Sequence, residues 1–126
     1  ADLLIGVSED LLQNGRAEVA SARNSHDALE RLVDKHLDFS LTEPDLIRVQ
    51  DRDFASLAPT DQRQVRRLQR AYVELWVDQL VPGVTREEAR ARAHATFGLL
   101  NATPRITDPV ARAPMLRQMA LAALHA

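Results

Sequence analysis

The sequence contains no cysteine. Disulfides, thiolate nucleophiles and zinc–cysteine centres are therefore excluded, and the absence is compatible with the cytoplasm, where the chain is expected to reside. No apolar run approaches the roughly 18 residues that a membrane span requires, so no membrane partner is expected. An excess of one charge is missing too. The net charge of −2 over 126 residues supplies no basic field to hold nucleic acid. Lysine is nearly absent: Lys35 stands alone among 16 basic side chains, a bias assigned more simply to codon usage than to guanidinium chemistry. There is no HExxH, no carboxylate-x-x-His helix motif and no strand–turn–helix nucleophile elbow. The four histidines are scattered. Asp51 and Asp53, two apart, fall on different sides of a helix and make no acid–base pair. Neither an enzyme, a metal nor a cofactor is expected.

What remains is helical. Hydrophobic residues make up 45% of the chain and charged ones 27%, enough for a core inside a soluble surface, and the length suits one domain over residues 1–126. The stretch Arg63 to Leu80 organises the rest, with the only Trp and the only Tyr of the chain. On a helical wheel Val65, Leu68, Tyr72, Leu75, Trp76 and Leu80 take one side, and Arg63, Arg66, Arg67, Arg70, Glu74 and Asp78 the other. The arginines read as a solvated face with an Arg70–Glu74 pair one turn apart rather than as a phosphate grip.

Five further helices are expected around it. Residues 1 to about 22 carry a stripe of Leu4, Val7, Leu11 and Gly15. Gly6 and Gly15 each weaken that helix by about 1 kcal/mol unless a neighbour packs closely there. It starts abruptly at Ala1, without a cap, as a fragment or processed product would. Ser25 is a fitting N-cap for a helix from His26 to about Thr42, whose apolar face of Leu29, Leu32, Val33 and Phe39 also holds His36 and Ser40. Pro44 opens a short helix over 45 to about 57, with Leu46, Ile47, Phe54 and Leu57 inward and Gln50 at the centre of that face. Thr60 or Asp61 is expected to cap the central helix, and Pro82-Gly83 to end it. Thr85 and Glu88 have capping-box spacing before a helix over 86 to about 102. One face of it carries Ala89, Ala93, Thr96, Phe97 and Leu100, the other only Ala91, Ala95, Gly98 and Ala102. The last helix begins between Pro109 and Pro114 and is broadly apolar through Leu116, Met119, Ala120, Ala123 and Leu124, with Met115 and Leu121 flanking. No period-two strand is present, so the fold class is all-α with six helices.

Three segments, in this order and spacing, carry a family likeness: residues 44–52 (PDLIRVQDR), 67–76 (RLQRAYVELW) and 87–101 (EEARARAHATFGLLN). With the order of the breaks, they resemble the C-terminal domain of TetR-family transcriptional regulators over essentially the whole chain. The resemblance implies an all-α domain that binds a small-molecule effector between its helices and forms a homodimer through its last two helices in a four-helix bundle. It also implies that DNA is contacted only through an N-terminal helix-turn-helix module that is missing here.

Two sets of residues follow. His36, Ser40, Gln50, Tyr72 and Gln79 are polar, each inside an otherwise apolar face, and Phe39, Phe54, Trp76 and Phe97 supply aromatic walls. Together they describe a pocket for a mainly hydrophobic ligand with one polar end, against a dry core in which each polar group finds a partner. Ala91, Ala95, Gly98, Leu99 and Ala102, with Met115, Leu116, Met119 and Ala123, describe the dimer interface, since such surfaces left bare exceed what monomers usually expose. A stand-alone helical carrier or protein-interaction module is the competing reading.

Overall fold

The computed structural model describes residues 2–126, apart from the side chains at 2, 47, 49, 50 and 51. Helices α1 (Asp2–Ser21), α2 (Ser25–Thr42), α3 (Pro44–Asp53), α4 (Pro59–Leu80), α5 (Arg86–Asn101) and α6 (Ala113–Leu124) follow one another, with 3-10 turns at Phe54–Ser56 and Thr103–Arg105. No strand occurs among the described residues, so the all-α, six-helix expectation is met. None of the described helices is long and apolar enough to cross a membrane.

The helix starts show which local signals win. Thr85 Oγ1 accepts the Glu88 N–H at 3.1 Å, the bond that the capping box demands. The cap of α2 is Asn24 rather than Ser25: Asn24 is extended, and its Oδ1 accepts the Asp27 N–H at 2.8 Å. Helix α4 starts earlier than expected. Pro59 takes the first turn, where it has no N–H to satisfy, and Ala58 precedes it without a side-chain cap. Thr60 and Asp61 therefore lie inside the helix. Pro114 sits in the first turn of α6 and kinks nothing.

The hub of the fold is α2 rather than α4, because α2 packs against every other helix. Its Leu29, Leu32 and Val33 lie in one core with Leu12 of α1, Trp76 and Val77 of α4, Ala93 and Leu100 of α5, and Leu116 and Leu124 of α6. Helix α1 crosses both α2 and α4. Its inward stripe is Leu4, Ser8, Leu12 and Gly15, one position on from the predicted Val7 and Leu11, which are only half-buried. At Gly15 the close approach is real: a β-carbon there would meet Leu75 Cδ2 at 2.9 Å and the Tyr72 ring at 3.1 Å. Gly6 has open space and no such reason.

Ion pairs fasten the periphery. Arg117 of α6 reaches Asp34 Oδ1 at 2.6 Å and Glu30 Oε2 at 3.0 Å on α2. Glu74 of α4 pairs not with Arg70, as its spacing predicts, but across to Arg90 and Arg86 of α5. Partners on a packed neighbouring helix supply two guanidinium groups to one carboxylate, which an i,i+4 pair along one helix cannot do.

Candidate functional site

Four of the helices leave a hollow of about 200 Å³ between them. Helix α1 contributes Ser8 and Leu11, α2 His36 and Phe39, α4 Leu68, Gln69, Tyr72 and Val73, and α5 His94, Phe97 and Asn101. For scale, a dry cavity of about 150 Å³ holds benzene. The hollow thus has room for a substituted ring or a short chain.

Aromatic rings build its wall. Phe97 lies 5.7 Å from the Tyr72 ring, nearly parallel, and 5.5 Å from His36. Trp76 meets Phe97 edge-on at 4.8 Å from behind and is fully buried. These separations are those of favourable aromatic packing.

The polar end is a chain of three side chains from three helices. His36 Nδ1 is 2.9 Å from the Tyr72 hydroxyl, and His36 Nε2 is 3.1 Å from Asn101 Oδ1. An amide oxygen only accepts, so Nε2 carries the ring proton and donates to Asn101. Nδ1 of the neutral ring then accepts from the Tyr72 O–H. Burial pushes the His36 pKa below its ordinary value, against the opposing hydrogen bond to Asn101. Burial likewise drives the Tyr72 hydroxyl above the usual phenol range. Both groups are therefore neutral at physiological pH, and they offer hydrogen bonds rather than charge. Trp76 Nε1 is buried and makes no hydrogen bond.

Of the residues expected in the pocket, His36, Phe39, Tyr72 and Phe97 line it. Trp76 backs it. Ser40 is fully buried and donates to the His36 carbonyl of its own helix at 3.0 Å, which satisfies it away from the hollow. Gln79 donates to the Leu75 carbonyl at 3.4 Å. It shares the Tyr72 face of α4, but seven residues on it stands about 10 Å further along the axis. Phe54 lies instead under the Arg66 guanidinium, 5.0 Å from its ring centre. The side chain of Gln50 lies outside the described residues. Asn101 and His94 were not among the expected site residues. His94, Phe97 and Asn101 are spaced i, i+3, i+7, a third stripe of α5 between its core face and its small-residue face. That spacing is the signal that would have found them.

The expected interface residues fall into two groups. Ala91, Ala95 and Gly98 are exposed and Ala102 half-buried. Met115 and Met119 are 43% and 46% exposed. Ala123 is half-buried, and Leu99 is partly buried against the core. Leu116 is different. It is 2% exposed, in the chain's own core with Ala120 and Leu124. Their i, i+4, i+8 spacing turns this stripe inward and leaves Leu116 no surface for a partner.

The helical domain thus holds an aromatic-walled hollow with a neutral polar relay at one end. No group of three or more metal-ligating side chains converges among the described residues. Residues 22–105 match the family model described as "Tetracyclin repressor-like, C-terminal domain". The chain belongs to that family and is the effector-binding domain of a TetR-family regulator. Domains of this family are regulatory rather than catalytic, and they typically dimerise and bind small effectors. No curated protein matches the chain.

Proposed function

We propose that residues 1–126 form one effector-binding and dimerisation domain, acting within a repressor. The effector is a small, largely hydrophobic molecule whose polar end meets the His36–Tyr72–Asn101 chain. The observation that carries this reading is the convergence of those three polar groups on a hollow that Leu11, Phe39, Leu68, Val73 and Phe97 line with apolar surface, beside Ser8, Gln69 and His94; small-molecule sites combine apolar walls with a few convergent polar groups. The protein pairs as a homodimer through α5 and α6, and DNA is read by a helix-turn-helix module that these residues do not contain. Effector favours one of two arrangements of the dimer, in which the DNA-reading modules are misplaced and repression is relieved. Only a difference in affinity between the two arrangements can do this.

Two experiments test the two halves of the reading. Trp76, the only tryptophan, stands directly behind Phe97 and reports on the hollow by its fluorescence. Titration with a neutral probe, 2-phenylethanol or 1-octanol, is expected to give a saturable change at one site per chain. Val73→Phe, which puts a ring into the hollow from a half-exposed wall, is expected to abolish it while the circular dichroism stays that of the parent. A response that survives Val73→Phe places the ligand elsewhere.

For the dimer, Gly98→Leu is the clean substitution. A side chain at Gly98 meets nothing within 4 Å, so the fold of one chain tolerates it and gains about 1 kcal/mol in helix propensity. Light scattering is expected to show a monomer. A dimer of undiminished affinity would rule out this face of α5 as the interface.

A further inference from the structure

We propose that the effector is an amphiphilic anion, with its apolar body in the hollow lined by Tyr72 and Phe97 and its anionic head held outside by Arg66 and Arg70. This rests on the reading of the hollow as an effector pocket; it narrows the effector to one chemical class and places its charged end at the arginines rather than at the His36–Tyr72–Asn101 chain.

The hollow does not end at its polar relay. Gln69, Val73 and His94 also line a second, wider recess of about 520 Å³ between α4 and α5. The two spaces share those three side chains, so they lie side by side along α4 and α5. The second is cationic. Arg66 and Arg70 enter it from α4 and Arg90 from α5, with Glu74 the one carboxylate among its lining residues.

That carboxylate is already engaged. Arg90 Nε donates to it at 3.1 Å and Arg86 pairs with it at 3.5 Å. Arg66 and Arg70 have no carboxylate partner among the described residues. They stand one helical turn apart, a like-charge spacing that destabilises a helix unless an anion lies between. Arg66 is moreover held in place over the Phe54 ring, 5.0 Å from its centre. Two guanidinium groups, one of them positioned in advance, in the recess beside the hollow suit a carboxylate at the end of a ring or short chain.

The test compares matched pairs of probes, phenylacetate against 2-phenylethanol and octanoate against 1-octanol, by Trp76 fluorescence at low salt. Each acid is expected to bind about ten-fold more tightly than its alcohol, and the ratio to shrink as salt is raised. In the Arg66→Gln/Arg70→Gln double variant the ratio is expected to fall to about one. Both arginines are exposed, and circular dichroism checks that the fold is kept. If the alcohols bind but the acids gain nothing, or if the double variant keeps the ratio, the anionic head is wrong and the hydrophobic pocket stands. If neither acid nor alcohol binds in either pair, the pocket reading fails and this inference falls with it.

Discussion

Trp76→Ala is expected to cost about 3–5 kcal/mol, the range for emptying an aromatic site in a packed interior. Trp76 has no exposed surface and sits where α4 meets α2 and α5: its ring is 4.8 Å from Phe97, 6.0 Å from Tyr72 and 6.1 Å from His36. Removing it leaves a void behind the pocket and loosens the three side chains that shape the wall. A domain of this size is held by only about 5–15 kcal/mol, so a large share of its stability hangs on one side chain. Thermal unfolding followed by circular dichroism is expected to shift down by about 15 °C. Trp76→Phe separates shape from polarity. The indole N–H makes no hydrogen bond, so phenylalanine forfeits some volume but strands no acceptor, and about 1 kcal/mol is expected. A loss equal to that of alanine would mean that the N–H has a partner after all. An alanine variant within about 1 kcal/mol of the parent would remove Trp76 from the centre of the fold.

Which helices form was legible because the apolar residues recur at helical spacing and because prolines and hydroxyls punctuate them. Their exact starts were less so. Asn24 and Ser25 are both good caps, and the choice falls to Asn24 because its backbone is the extended one and its side chain reaches Asp27. The site was legible as faces and not as depth. A wheel places Tyr72 and Gln79 together, yet two turns of rise separate them, and only Tyr72 reaches the hollow. It also puts His36 and Ser40 side by side, but a serine on a helix turns its hydroxyl to the carbonyl one turn back, as Ser40 does. Asn101 escaped notice for a related reason. It lies at the end of α5, between two faces that each looked complete, and its role depends on a histidine 65 positions earlier in the chain. Periodicity has no access to that separation. Leu116 marks the same limit at the surface: an apolar helix with two buried-looking sides does not say which side its own chain covers.

The stability of the folded chain is expected to fall as pH drops below 6.5, the ordinary value for the His36 ring. Burial holds that ring's pKa lower in the folded chain. Between the two values the unfolded chain therefore binds one more proton than the folded one, and acid favours unfolding. The contribution is fully present above the unfolded value, is lost as pH falls below it, and levels off once the folded ring protonates. One proton gives a slope of at most about 1.4 kcal/mol per pH unit in the window between those two values. The other three histidines, His26, His94 and His125, are exposed. Urea midpoints measured across the window are the readout. His36→Gln is the comparison, since glutamine can accept from Tyr72 and donate to Asn101 but carries no titrating group. It is expected to flatten the dependence, and an identical slope in the variant would assign the effect to another group. The same proton bears on the pocket. A charged ring donates from both nitrogens, so Nδ1 no longer accepts from the Tyr72 hydroxyl and the relay must turn around. Acid thus acts on the polar end of the site and on the hub helix through one atom, because the side chain that α2 offers to a ligand is also one that it buries.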